Sequence, residues 1–162
     1  ARLMTVVVRP GKPNGAASSF FSGIIREPLA GLQAVCPVDP SAAHPVASPQ
    51  STVLSLVGLM QAPRDVLKRR LAINLPAVNV TVAQMLDALE KVAGPQARAL
   101  VRFERDERIA SIVANWPRAA RSDTAQGVLN FAGDASFEAI VRQYIEDMRS
   151  AGLSDTALKG LS

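Results

Sequence analysis

The sequence predicts a mixed α/β fold in which helices outnumber short strands. Residues 3–8 form a continuous apolar run that stops at Pro10-Gly11. Such a run is typical of a strand that is covered on both faces, as in a parallel sheet flanked by helices. Several later segments carry apolar residues at helical spacing, most clearly residues 136–148. With 162 residues, of which 48% are apolar, the chain is long enough to bury a substantial core.

The first strand, predicted over residues 4–9, leads into an amphipathic helix. Asn14 and the glycine after it are a loop signal, and Ser18 or Ser19 is placed to cap the helix that follows. Gly31 ends this helix, because glycine readily adopts the left-handed conformation found at helix C-termini. The apolar residues that share one face of the helix are Phe20, Phe21, Ile24, Ile25 and Leu29.

The next region predicts a short strand, an irregular loop and a central helix. Residues 33–38 are expected to form the strand, and residues 39–50, rich in Pro, Ser and Ala, the loop. Residues 51–62 are apolar on nearly every side, so the helix that they form is predicted to lie at the centre of the domain. Pro63 ends that helix and opens a short second one over residues 64–70.

The second half of the chain contains further short strands and helices. Residues 71–75 and 99–103 are the strand candidates. Thr81 and Gln84 have the spacing of a capping box, in which each side chain bonds the backbone N–H of the other residue. The buried face of the helix that begins there is predicted to hold Val82, Met85, Leu86 and Leu89.

Composition narrows the range of partners. The net charge of +4 is scattered along the chain, without a basic stripe interleaved with aromatic residues, so we expect no nucleic-acid partner. No apolar run is long enough to cross a bilayer, and we expect no membrane partner. The single cysteine, Cys36, lies in an apolar context, which predicts a buried thiol and a cytoplasmic, reducing location.

The sequence shows no catalytic constellation of its own. His44 is the only histidine and is predicted to be exposed in the loop at 39–50, so neither a catalytic triad nor a metal site is expected. The only tyrosine, Tyr144, is followed four residues later by Met148 rather than by lysine. A glycine-rich turn between a strand and a helix, the signature of a dinucleotide-binding unit, is absent from these 162 residues.

Several segments carry a resemblance to a known family. They are TVVVRPGKPN (5–14), AASSFFSGIIREPLAG (16–31), NLPAVNVTVAQMLDALEKVAG (74–94), IVANWP (112–117) and NFAGDASFEAIVRQYIED (130–147). In their order and spacing they resemble the extended short-chain dehydrogenases, the superfamily of NAD-dependent epimerases and dehydratases, and within it the D-erythronate dehydrogenase type.

This resemblance implies that the chain is the C-terminal part of a Rossmann-like enzyme, with the last parallel strand or strands followed by a mixed α/β substrate-binding domain. Residues 1–14 would then end the dinucleotide-binding sheet, residues 15–149 would form the substrate-binding region, and residues 150–162 would be a frayed polar tail. The Tyr-x-x-x-Lys pair of the family is absent here, so its catalytic residues are expected on an N-terminal Rossmann half. The resemblance also implies a homodimer.

The resemblance further assigns roles around the end of the first strand. Pro10, Gly11 and Lys12 would contact NAD, although NADP stays open because its determinants lie upstream. A small acidic substrate would meet the side chains of Lys12, Asn14, Ser18, Ser19 and His44. For Ser18 and Ser19, the residues alone leave helix capping open as the other interpretation, and the N-terminus of a helix is also a suitable place for an anion.

The predicted function is part of an NAD-dependent oxidoreductase that acts on a small hydroxy acid similar to D-erythronate, with this half forming the substrate pocket and inactive alone. Two alternatives stay open. One is a nucleotide-sugar epimerase or dehydratase of the same superfamily. The other is a non-catalytic module that binds a ligand or a partner.

Overall fold

The computed structural model describes residues 1–67 and 72–161, and it is a mixed α/β structure. The strands are β1 (Thr5–Val6), β2 (Ala34–Cys36), β3 (Ala43–Ala47), β4 (Val78–Thr81) and β5 (Val101–Phe103). The α-helices are α1 (Ser19–Leu29), α2 (Pro49–Gln61), α3 (Val82–Ala99), α4 (Glu107–Ala114), α5 (Asp123–Gly127), α6 (Phe137–Ser150) and α7 (Ser154–Ala157), and a 3₁₀ helix spans Lys159–Leu161.

The strands form two small sheets. In the first, the order is β1-β3-β4, with β1 parallel to β3 and β4 antiparallel to it. In the second, β2 pairs in parallel with β5. The predicted fold class and the parallel first strand are therefore confirmed, although the regular part of β1 is only two residues long.

The core lies between three helices and the sheets. Helix α1 packs on α3, and α3 packs on α6. The predicted apolar faces are confirmed, since the fully buried side chains include Phe21, Ile24, Ile25, Leu29, Met85, Leu86, Leu89 and Ile140. The predicted capping box is also present: Thr81 Oγ1 accepts from the Gln84 N–H at 3.2 Å, and Gln84 Oε1 accepts from the Thr81 N–H at 2.8 Å.

The loop predicted over residues 39–50 is wrong, because β3 occupies residues 43–47 and α2 starts at Pro49. Composition alone suggested a loop. Pairing with β1 on one side and with β4 on the other supplies hydrogen-bond partners to this backbone. Such long-range pairing overrides the weak strand propensity of a segment rich in Pro and Ala. Strand β4, which completes the pairing, is also missing from the sequence-based prediction.

The central position predicted for the helix at 51–62 is wrong as well. The one buried residue of α2 is Ser55, and Leu54 and Met60 are 65% and 87% exposed. One side of the helix is packed: a side chain at Gly58 would collide with the ring of Phe131. Leu54, one turn from Gly58, lines an opening together with Phe131, whereas Val53, Val57 and Met60 are 57%, 45% and 87% exposed.

Two other predictions fall partly outside the described residues. The short helix predicted over residues 64–70 is described only as turns at residues 64–67. Of the strand predicted over residues 71–75, the described part contributes one isolated bridge, which joins Asn74 to Arg2.

The polar tail is not frayed as predicted. Residues 154–161 form two short helical segments, and Leu158 is buried. Gly160 lies so close to α1 that a side chain there would collide with the carbonyl oxygen of Pro28. One buried leucine and this close approach hold the segment against the core.

The division of the chain at residues 14 and 149 stays a prediction. None of the described helices combines the length and the apolar character that crossing a membrane requires.

Candidate functional site

A strained turn follows the carboxyl end of β1. The ladder continues as far as the Val7 N–H, which donates to the carbonyl oxygen of Ala47 at 3.0 Å. Val8 then adopts a φ of +54° while it is 1% exposed. Positive φ is rare for a β-branched residue and costs on the order of 1–3 kcal/mol. Packing around the buried Val8 side chain therefore holds an unfavourable backbone that redirects the chain after the strand.

Beyond this turn, the predicted cofactor residues are exposed. Pro10, Gly11 and Lys12 all lie at the surface, and Gly11 has a φ of +104°, which favours glycine. A Cβ at Gly11 would meet nothing within 4 Å, so the space beside this backbone is open. The structure brings these three residues together at the end of a parallel strand, where ligands bind in open α/β sheets.

The loop returns to α1 through Asn14 and Ser19. The Oγ atom of Ser19 accepts from the Asn14 N–H at 3.2 Å, and Oδ1 of Asn14 accepts from the Ala16 N–H at 3.0 Å. Ser18 is the N-cap residue, but its backbone is already helical and its side chain makes no cap bond. Side-chain capping by either serine is thus wrong, because Ser19 holds the loop instead.

His44 lies in β3 and is 5% exposed, so its predicted position in an exposed loop is wrong. Its Nδ1 is 3.1 Å from the carbonyl oxygen of Pro117, which can only accept, so Nδ1 carries the proton. Its Nε2 then accepts from the Thr5 hydroxyl at 2.6 Å. The ring stacks on Phe21 at 5.1 Å and lies 5.3 Å from Trp116. Burial lowers the pKa of His44, and the bond to Pro117 opposes that change less strongly.

An open cavity of about 630 Å³ lies beside this histidine. Its polar lining comes from Arg2, Ser18, His44, Asn74 and Arg121, together with the indole of Trp116. The guanidinium of Arg2, the hydroxyl of Ser18 and the amide of Asn74 are suited to an anionic ligand that also carries hydroxyl groups. The guanidinium of Arg121 is already paired with the Asp123 carboxylate at 3.1 Å, in an exposed ion pair. The cavity is open to solvent, and Arg2 and Arg121 on its lining are both exposed.

The predicted site residues fall into three groups. Ser18 and His44 share the cavity of about 630 Å³. Asn14 and Ser19 line a second opening of about 990 Å³ on the other side of the start of α1. The loop residues Pro10, Gly11 and Lys12 line neither cavity.

Sequence reasoning missed Arg2, Thr5, Asn74, Arg121 and Trp116 as cavity residues. For Trp116 a signal was present, since it lies in the segment IVANWP that carried the resemblance. Thr5 and Asn74 also lie in segments that carried the resemblance, 5–14 and 74–94, but only the pairing of distant segments brings them to one cavity. The part of the chain that the structure describes holds no group of three or more His, Cys, Asp or Glu side chains that could bind a metal ion.

Solved structures define the class of this arrangement. A nucleoside-diphosphate-sugar epimerase from Agrobacterium tumefaciens superposes with a TM-score of 0.88 and 40% identity, over 94% of this chain and 44% of that one. A GalE-like L-threonine dehydrogenase from Cupriavidus necator gives a TM-score of 0.77 at 20% identity, over 91% of this chain and 46% of that one. The chain thus has the fold of slightly less than half of these extended short-chain dehydrogenases and epimerases.

Sequence comparison leads to a particular type within this class. The chain is 46% identical over 153 residues to a D-erythronate dehydrogenase from Cupriavidus necator, which is 94% of this chain and 46% of the relative. A D-erythronate dehydrogenase from Haemophilus influenzae is 44% identical over 146 residues, 90% of this chain and 46% of the relative. These matches confirm the predicted resemblance.

The chain spans about half the length of the curated relatives that it matches. A comparison with protein-family models finds no matching family.

Proposed function

We propose that this chain forms the substrate-binding part of an NAD-dependent oxidoreductase that acts on a small hydroxy acid such as D-erythronate. The observation that carries the proposal is identity of 46% and 44% to two D-erythronate dehydrogenases across at least 90% of the chain. The Tyr-x-x-x-Lys pair that would take the hydroxyl proton is expected in the half that these relatives have in addition.

The cavity beside His44 fits the chemistry of such a substrate. Arg2 can face a carboxylate, and Ser18 and Asn74 can exchange hydrogen bonds with hydroxyl groups. Arg121 can join Arg2 only where a substrate carboxylate replaces its exposed ion pair with Asp123. Both nitrogens of His44 are already engaged, by Thr5 and by Pro117. His44 therefore shapes the wall as a neutral ring and becomes a hydrogen-bond partner only if a ligand displaces the Thr5 hydroxyl.

The loop at the end of β1 is the proposed contact for the nicotinamide part of the cofactor. Its backbone is exposed at Gly11, and open space lies beside that residue, so a flat ring can approach closely. When bound, NAD would accept the hydride from the carbinol carbon. The substrate contacts proposed for Lys12 and Asn14 rest on the resemblance, since Lys12 lines neither opening and Asn14 lines the opening of about 990 Å³. The choice between NAD and NADP rests on residues upstream and stays open.

A face of α2 is the proposed contact with the other half of the protein. Val53, Leu54, Val57 and Met60 are between 45% and 87% exposed on this helix. Such a contiguous apolar surface marks an interaction site. Relatives about twice as long as this chain supply the occupant, namely their remaining half. Homodimer formation and a cytoplasmic location stay predictions.

A nucleotide-sugar epimerase is the second candidate function. The solved structure that superposes with a TM-score of 0.88 carries that description at 40% identity. An epimerase would need space for a nucleotide beside the sugar, and the openings of about 630 and 990 Å³ lie on either side of the start of α1. A non-catalytic module is less well supported, because the curated D-erythronate relatives are enzymes.

The test is an assay of the complete gene product with NAD and D-erythronate, followed by absorbance of the reduced cofactor. We expect reduction of NAD with D-erythronate, no epimerisation of a nucleotide sugar, and no activity from residues 1–162 alone. Epimerisation without net NAD reduction would replace the first candidate with the second. Turnover by the 162-residue chain alone would contradict the assignment of the chemistry to the other half.

Lys12, which lines neither opening, provides a separate test of the contact that the resemblance implies with an acidic substrate. Reversing its charge in Lys12→Glu should raise the KM for an acidic substrate roughly tenfold, the effect of losing about 1.4 kcal/mol of binding free energy. Arg142→Glu makes the same change of charge on the exposed side of α6 and is the matched control. Equal KM values in the two variants would remove Lys12 from the pocket.

A further inference from the structure

We propose that Ser22 and Arg26 are positioning residues, which hold the strained turn after β1 so that the loop over residues 9–14 presents its backbone to the cofactor. The proposal rests on the function proposed above and adds two residues that contact neither the cofactor nor the substrate. It concerns the turn at Val8 and Arg9 and the face of α1 packed against it.

The first observation is that both backbone polar groups of Arg9 are bonded by side chains of α1. The Arg9 N–H donates to Ser22 Oγ at 3.4 Å, and Arg26 Nη1 donates to the Arg9 carbonyl oxygen at 3.0 Å. Ser22 and Arg26 are four residues apart, so they lie on one face of the helix, one turn from each other. Together the two side chains hold the backbone of Arg9 through its N–H and its carbonyl oxygen.

The second observation is that these two side chains are buried. Ser22 is 2% exposed and Arg26 is 8% exposed. Arginine is almost never buried unless it is paired, and here Glu27 Oε1 accepts from Arg26 Nη2 at 2.6 Å. The other carboxylate oxygen, Glu27 Oε2, is buried and has no hydrogen-bond partner among the described residues. A buried ion pair is often no more stabilising than well-packed apolar side chains, so stability alone does not explain Arg26 at this position.

The third observation is the position of Arg9, between the strained residue and the proposed cofactor contacts. Arg9 immediately follows Val8, whose φ of +54° is unfavourable for a β-branched residue. Strained backbone persists only when its surroundings over-determine it, and such strain concentrates at ligand-binding turns. Arg9 also immediately precedes Pro10, Gly11 and Lys12, the proposed cofactor contacts. The two hydrogen bonds to Arg9 therefore fix the direction in which this loop leaves the sheet.

The test compares Ser22→Ala and Arg26→Lys in the complete protein. Ser22→Ala removes the bond to the Arg9 N–H with little change of volume. Arg26→Lys keeps a positive charge beside Glu27, but a single ammonium lacks the planar fork that serves Glu27 and the Arg9 carbonyl oxygen together. The matched controls are Ser55→Ala, at a buried serine of α2, and Arg142→Lys, at an exposed arginine of α6.

Two measurements separate positioning from general stability. Hydrogen exchange of the Arg9 and Asn14 amides, which are hydrogen-bonded to side chains of α1, should become faster in both test variants and stay unchanged in both controls. The Kd for NAD, from a fluorescence titration, should rise roughly tenfold, which corresponds to about 1.4 kcal/mol of binding free energy. Cofactor KM should rise more than kcat falls. A merely structural role would lower the Tm without this pattern.

The outcomes decide between the two proposals. If the wild-type protein binds no NAD, the proposed function fails. Hydrogen exchange in residues 9–14 still tests whether Ser22 and Arg26 hold the backbone of Arg9. Faster exchange in both test variants supports that role, whether or not NAD binds. Wild-type exchange in Ser22→Ala and in Arg26→Lys would overturn the inference. Faster exchange with an unchanged Kd for NAD would overturn the link to the cofactor.

Discussion

Helices α1 and α2 have similar apolar content but opposite surroundings. In α1, Phe21, Ile24, Ile25 and Leu29 are 0% exposed, because α3 and β2 pack against that face. In α2, Leu54 is 65% and Met60 is 87% exposed, although residues 51–62 look at least as apolar as α1. The comparison shows that apolar sequence creates a demand for burial, and that the partner which meets the demand need not lie in the same stretch of chain.

The largest effect that the comparison predicts lies in α1. Ile24→Ala in the complete protein should lower the free energy of unfolding by about 2–5 kcal/mol, because it removes a fully buried side chain and leaves a cavity. Urea denaturation followed by circular dichroism measures this change. A loss below about 1 kcal/mol, within the range of surface substitutions, would mean that the face of α1 is not the packed core described here.

A smaller and more informative effect concerns α2. Leu54→Ser should change the free energy of unfolding by less than about 0.5 kcal/mol in the 162-residue chain, where Leu54 is 65% exposed. In the complete protein, the same substitution should cost about 1.5–3 kcal/mol, because the side chain is then expected to be buried.

The control for α2 is Ile112→Ser, on an exposed part of α4. It should have a small effect in both the 162-residue chain and the complete protein. If Leu54→Ser were as mild as this control in the complete protein, the face of α2 would not be the contact with the other half. The difference between α1 and α2 would then need another explanation.

The smallest effect is the pH dependence that His44 introduces at the edge of the packed region. Burial lowers the pKa of His44 from its ordinary value of 6.5, so between the two values the unfolded chain binds more protons than the folded one. The contribution of His44 to the free energy of unfolding should therefore be constant above pH 6.5 and should decrease as the pH falls below that value. Denaturation from pH 7.5 to pH 5 measures the slope, and His44→Gln should reduce it. An unchanged slope in His44→Gln would assign the pH dependence to other groups.

Local patterns were a good guide wherever neighbours in sequence decide the structure. The faces of α1, α3 and α6 follow from helical spacing, and the Thr81–Gln84 capping box depends on residues three apart. The same logic failed for residues 43–47, because a strand is stabilised by partners that lie far away in the chain. It failed again for the tail, where packing on α1 decides the outcome.

The candidate site divides in the same way. The exposed loop with Pro10, Gly11 and Lys12 could be located from the sequence, because a strand that stops at Pro-Gly signals its own end. Two sets of contacts left no sign in the sequence. One is the hydrogen bond between Thr5 and His44, and the other is the pair of hydrogen bonds from Ser22 and Arg26 to the Arg9 backbone. Those contacts cross from one element to another, and neither partner is unusual in its own segment.

The sequence by itself determined the α/β class, the buried faces of α1, α3 and α6, and the similarity to D-erythronate dehydrogenases. Helical periodicity, caps and matched segments depend only on residues that are close to one another in the sequence. Only the tertiary structure decided that His44 is buried, that Val8 is strained and that α2 presents an apolar face. Burial and backbone strain depend on which distant surfaces meet. That meeting reflects the balance of packing over the whole fold, which no single segment contains.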